Sequence, residues 1–200
     1  MLRILLKRAF DIDTTSIYSG EIRVFERSPE LVKLVGHYES SGPESGAFVK
    51  THGPPENDAP AIYVVRDGRA AIVSYFHYIK DLLEDPSITL ERVIRGDVWG
   101  GSWSDHVRHW NPLARPKTLL LYYENLVASL PSECTKLAVF LGQKLLNVPT
   151  HLDFDGLHVV NPTFFPSGDN EERFKEIFPY MELFESIHGR TMAALGYRWR

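Results

Sequence analysis

The sequence predicts an α/β fold with a parallel central sheet and helices on both faces. Three observations carry that expectation. Short apolar strands at Phe48–Thr51, Ala61–Val65 and Leu119–Tyr122 alternate with helical stretches, the order of crossover connections rather than of hairpins. The run Ile62-Tyr63-Val64-Val65 is apolar at successive positions, β-branched or aromatic, as in a strand covered on both faces. Asp67-Gly68 ends that run directly ahead of Ala70-Ala71-Ile72-Val73, which reads as a helix N-cap and the first turns behind it.

The elements follow in chain order. Residues 2–10 read as an amphipathic helix, with Leu2, Leu5, Leu6 and Ala9 on one side and Arg3, Lys7 and Arg8 elsewhere. Residues 11–20 read as loop, Ser28-Pro29-Glu30 as the capped start of a short helix, and residues 40–46 as a polar loop. Phe48–His52 is a predicted strand closed by Gly53-Pro54-Pro55. Residues 89–95 form a helix, followed by a Gly/Trp-rich loop from Gly96 to Trp103 and a helix carrying His106, His109 and Trp110. Thr118–Tyr123 is a further strand, Pro131–Leu141 a helix ending at Gly142, and Asn170–Leu195 a helical tail ending at Gly196.

Composition narrows the function. Two hundred residues fit one domain, 1–200, with a sizeable core. A formal charge of −4 gives no basic footprint, so nucleic acid is not an expected partner, and any anionic ligand is held by a few placed cations. The single cysteine, Cys134, excludes an intramolecular disulfide and suits a reducing compartment. It shares a helical face with Leu137, Ala138 and Leu141, a packing position. No apolar run reaches membrane-spanning length and no signal-peptide pattern opens the chain, so the expected location is cytoplasmic, with no membrane partner.

Four stretches carry chemistry. Arg66 sits at the carboxyl end of a strand beside a helix N-terminus, where α/β sheets bind ligands. Ser74, eight residues on and roughly 12 Å along the helix, can offer a hydroxyl to the same anion, and guanidinium plus hydroxyl suits a phosphate monoester. Lys50-Thr51-His52 ends a strand. Taken bare it reads as a polar strand end, but it also holds a base that titrates near neutrality and a cation two positions before it. Gly100-Gly101-Ser102-Trp103-Ser104-Asp105-His106-Val107-Arg108-His109-Trp110 joins mobile glycines to large apolar rings. Its two histidines lack a completing ligand set, so no metal is expected. Leu119-Leu120-Leu121-Tyr122-Tyr123-Glu124-Asn125-Leu126 ends a strand in tyrosines, a packing position or a ligand contact.

These strings together resemble the sulfotransferases that use 3′-phosphoadenosine 5′-phosphosulfate (PAPS). The family's 3′-phosphate segment ends a strand in Val-Arg-Asp and follows with Ser-Tyr on the helix, which puts Arg66 and Ser74 on the phosphate-binding positions. Its Lys-Thr-His motif puts His52 on the catalytic base and Lys50 beside the sulfuryl group. Its Gly-Ser-Trp-x-x-His-Val-x-x-Trp segment, beside the acceptor pocket, matches residues 101–110. Its Tyr-Glu-Asp-Leu strand end gives Tyr123 an adenine contact, and Asp153-Phe154 resembles the loop that lines the adenine pocket, with Phe154 on the base or in the core. Gly168 aligns with the glycine of the Arg-Lys-Gly-x-x-Gly-x-Trp clamp, whose basic positions here hold Pro166 and Ser167.

The resemblance implies a P-loop-NTPase-like sulfotransferase fold, N-terminally truncated. Residues 1–10 resemble the first helix, entered directly after the strand and phosphosulfate-binding loop. It implies transfer of a sulfuryl group from PAPS to a hydroxyl or amine on a small-molecule or glycan acceptor, without a metal. The alternative is a degenerate or fragmentary member that binds a nucleotide or partner without transfer. A nucleotide kinase is disfavoured by the absent phosphate-loop lysine.

Overall fold

The computed structural model describes residues 2–16, 48–149 and 170–198. The chain divides into two compact units, one of Met1–His52 with Glu124–Pro162 and one of Gly53–Tyr123 with Thr163–Arg200.

In the first unit, α1 (Leu2–Phe10) buries Leu5, Leu6 and Ala9 of the predicted apolar side, with Ile4 and Phe10 besides, while Leu2 is half-buried. Arg3 departs from the expected polar side. It is buried, and its Nε and Nη2 donate to the Thr14 hydroxyl and carbonyl at 2.6 and 2.8 Å. Thr14–Ser16 is strand β1, not loop, paired parallel with β2 (Phe48–Lys50) from Thr14↔Phe48 to Ser16↔Lys50. Two β-branched threonines and a serine have no apolar alternation to advertise a strand; the partner defines it. Helices α5 (Tyr123–Ala128), whose first residue belongs to the second unit, and α6 (Leu130–Leu141) follow, the latter ending on Gly142 in the left-handed region. Cys134 is fully buried beside Leu137, a packing position as expected.

In the second unit, β3 (Ala61–Val65) pairs parallel with β4 (Thr118–Tyr122), Val65 opposite Tyr122. Between them come α2 (Gly68–His77), α3 (Leu90–Arg95) and α4 (Trp103–Trp110). The predicted cap holds, Asp67 Oδ1 accepting from the Arg69 amide at 2.9 Å, and Thr89, read as the first helical residue, is instead the N-cap of α3, accepting from the Arg92 amide. A π-helical turn, Tyr78–Leu82, extends α2. The expected single helical tail is two helices, α7 (Asn170–Ile177) and α8 (Met181–Ala194), joined by the 3₁₀ turn Phe178–Tyr180. Pro179 accounts for the break, since it cannot donate the backbone bond a continuous helix needs. Ile72, Val73, Val93, Ile94, Ile177, Phe184 and Met192 form one buried cluster, and Tyr63, Val65, Val107, Trp110 and Leu195 another.

The chain is thus an α/β protein with parallel strand pairing. The three predicted strands lie in two parallel ladders, β1–β2 and β3–β4.

Candidate functional site

The parallel register of β3 and β4 creates the central feature of the second unit. Val65 and Tyr122 are partners, so the residues that follow, Arg66 and Tyr123, leave the two strands side by side. The Arg66 guanidinium carbon lies 4.3 Å from the centre of the Tyr123 ring. Both residues are half-buried. The sequence reading extended β4 through Tyr123; in the structure that residue opens α5.

The turn below Arg66 is held from several sides. Asp67 accepts from Arg69 Nε at 2.9 Å and Nη2 at 2.5 Å, besides capping α2, and both side chains are buried. Arg69 also covers the Phe174 ring of α7 at 4.9 Å and donates to the Arg198 carbonyl at 3.4 Å. Gly68 lies so close to Trp103 that an added Cβ would sit 3.0 Å from two of its ring carbons. Asp67 is read from sequence as a cap; its pairing with Arg69 is not, although the Asp-x-Arg spacing in a turn carries the signal.

Ser74 is half-buried on α2. Its neighbour Tyr75 donates from its hydroxyl to the Trp99 carbonyl at 2.7 Å, tying α2 to the Gly/Trp loop. Gly96 ends α3 at φ 82°, and an added Cβ would meet the Ser102 nitrogen at 2.4 Å, so this corner requires glycine. His106 Nδ1 lies 2.8 Å from the Tyr63 hydroxyl, and Trp110 Nε1 donates to the Gly53 carbonyl at 2.9 Å. These rings pack the α4–β3 interface. Among the described residues, no group of three or more His, Cys, Asp or Glu could hold a metal ion.

In the first unit, Lys50 is the last residue of β2 and half-buried, while Thr51 and His52 follow it exposed. The strand ends before His52, so the expected same-side spacing of Lys50 and His52 along a strand does not apply. Burial, and secondarily the charge of Arg3, pulls the Lys50 ammonium down to about 8. Burial likewise pulls the Arg3 guanidinium down to about 10. Arg3 is a residue that sequence reasoning missed, because helical periodicity assigned it to the polar side. Phe154 and Gly168 lie outside the described residues.

Residues 30–174 match the family model described as Sulfotransferase domain. The chain is 31% identical to Sulfotransferase 1B1 of Mus musculus over 143 residues, which is 64% of this chain and 48% of that protein. It thus spans about half the length of that relative or less. The mouse sulfotransferase SULT7A1, solved in complex with PAP, superposes with a TM-score of 0.64 at 23% identity, covering 93% of this chain and 78% of that one. Retinol dehydratase, solved in complex with androsterone and the inactive cofactor PAP, superposes with a TM-score of 0.55 at 24% identity, covering 80% of this chain and 61% of the other.

Proposed function

The chain belongs to the sulfotransferase domain family, and on that premise we propose that it serves the transfer of a sulfuryl group from PAPS to a hydroxyl or amine acceptor. The observation that carries the proposal is the Arg66–Tyr123 pair at the adjoining carboxyl ends of β3 and β4. A guanidinium over a ring presents N–H donors at its edge, of the kind that suits the oxygens of a phosphate monoester. The Ser74 hydroxyl and the N-terminus of α2 add neutral donors of the kind such a group uses. This donor set fits a 3′-phosphate, and by resemblance Tyr123 and Phe154 take the adenine.

PAPS supplies the activated sulfuryl group. His52, exposed and therefore open to an acceptor, takes the proton of the attacking hydroxyl or amine. Lys50 neutralises charge developing on the sulfuryl oxygens. Burial, and secondarily the charge of Arg3, lowers its pKa, and an anionic ligand beside it would favour the charged form. By resemblance, Gly168 aligns with the glycine of the clamp segment. The acceptor class is a small molecule; the androsterone held by retinol dehydratase supports a hydroxyl-bearing apolar one. A reducing, cytoplasmic setting agrees with the buried lone thiol of Cys134.

The test is transfer of labelled sulfate from PAPS to a panel of hydroxyl and amine acceptors. The whole protein is expected to transfer, and His52→Ala in it to lose about 10²–10⁴-fold in turnover, the usual contribution of a positioned base. Unchanged turnover in His52→Ala would remove the histidine from that role.

A further inference from the structure

We propose that Trp103 is a positioning residue for the turn from Arg66 to Gly68. Its ring, pressed on Gly68, holds the amino end of α2 in the place where a 3′-phosphate binds, so Trp103 sets part of the preference for nucleotides carrying that group. The inference rests on the reading of this turn as the 3′-phosphate site.

Gly68 opens α2 and is not among the glycines of positive φ. Backbone conformation therefore gives no reason for glycine at this position, and glycine adds freedom that folding must freeze. The close approach of Trp103 gives the reason. An added Cβ at Gly68 would lie 3.0 Å from Cδ2 and Cε3 of the ring and 3.1 Å from Cζ3. The indole is itself held by a buried partner. It meets the His188 ring edge to face, with centroids 5.9 Å apart and planes at 84°. His188 is fully buried and fixed in turn, its Nε2 donating to the Ile94 carbonyl at 2.9 Å and its Nδ1 lying 2.7 Å from the Ser104 hydroxyl. Trp103 also packs against both buried clusters of this unit. It follows the N-cap Ser102, which the tight Gly96 corner fixes in place. The turn thus has a stiff ring against its glycine, besides the pairing of Asp67 with Arg69. Hydrogen bonds weaken as their geometry drifts, so a turn that cannot shift holds a phosphate better than one that can.

The experiment is calorimetric titration of the whole protein with adenosine 3′,5′-bisphosphate and adenosine 5′-monophosphate. The proteins are wild type, Trp103→Phe, Gly68→Ala and the Gly68→Ala/Trp103→Phe double variant. The quantity read is the ratio of the two affinities, the preference due to the 3′-phosphate. Trp103→Phe loosens the contact and Gly68→Ala overfills it. Each is expected to lower the ratio about three- to tenfold, part of what a charge-assisted hydrogen bond contributes. In the double variant the methyl takes space that the smaller ring leaves, and the ratio is expected to recover toward wild type. If Trp103→Phe does not fold, judged by thermal melting, Gly68→Ala alone carries the expectation. Single variants that melt lower yet keep the ratio overturn the proposal, because the ring would then serve packing only. A double variant whose ratio falls by the product of the two single effects overturns it as well. Wild type that binds both nucleotides equally, or neither, overturns the reading of the turn as a 3′-phosphate site.

Discussion

Arg66 and Tyr123 meet because two parallel strands end level with each other. Neither residue belongs to the β3–β4 ladder, yet Val65↔Tyr122 pairing brings the guanidinium to 4.3 Å from the ring centre. The anion anchor proposed at Arg66 is placed by backbone hydrogen bonds and held against a side-chain ring.

The first expectation concerns that anchor. Arg66→Ala should weaken adenosine 3′,5′-bisphosphate at least tenfold, since a hydrogen bond to a charged group is worth about 1.5–3 kcal/mol. Calorimetry reads it directly, and an unchanged affinity would take Arg66 out of the site.

Lys50 gives a pH dependence. Its folded pKa is lowered to about 8 from an ordinary 10.5. The cation is therefore present below about pH 8 and lost as pH rises through that value. Turnover should fall on the alkaline side with a limb near pH 8, and Lys50→Arg, which keeps its charge, should remove that limb. A pH–rate profile identical for both proteins would mean that Lys50 charge plays no part.

His188 governs stability on the acid side. It is fully buried, its Nε2 donates to the Ile94 carbonyl at 2.9 Å, and its Nδ1 lies 2.7 Å from the Ser104 hydroxyl. Burial lowers its pKa below the ordinary 6.5; the Ile94 bond and Asp105 oppose that shift and Arg108 adds to it. A depressed folded pKa means stability that is full above pH 6.5 and lost as pH falls below it. Melting temperature should drop from pH 7 to pH 5 more steeply in wild type than in His188→Gln. The variant should already melt lower at pH 7, having lost buried hydrogen bonds worth about 1–3 kcal/mol. Equal slopes would show that His188 does not titrate across the transition.

Gly68→Ala tests the turn. The added methyl would stand 3.0 Å from the Trp103 ring, a contact that forces the ring to move. Overpacking of this kind costs about 1–3 kcal/mol. The melting temperature should fall and tryptophan emission should change, whereas an unaffected spectrum would mean that Trp103 does not press on Gly68.

Local signals in the sequence were the legible ones. Asp67 and Thr89 announce helix starts because a cap acts within a few residues, and Gly142 announces a helix end for the same reason. The strand β3 was visible because its residues are apolar on both faces. Thr14–Ser16 was not, since a polar segment becomes a strand only through pairing with Phe48–Lys50, far along the chain. Arg3 was misassigned because periodicity knows the helix and not the threonine that receives the guanidinium. Lys50, His52, Arg66, Ser74 and Tyr123 are positions that the family resemblance singles out. That Arg66 and Tyr123 touch was beyond the motif, because contact depends on register.

The β3–β4 ladder also orders events during folding. Helices α2, α3 and α4 lie in the chain between the two strands and close through short-range contacts, on the order of microseconds or less. Pairing Ala61 with Thr118 requires the whole intervening segment to be brought round first, and loop-closure entropy opposes that step until the bonds form. A chain caught before pairing has no stacked Arg66, because that contact follows from the register. The stacked guanidinium is therefore a late feature of folding, gained with the final topology.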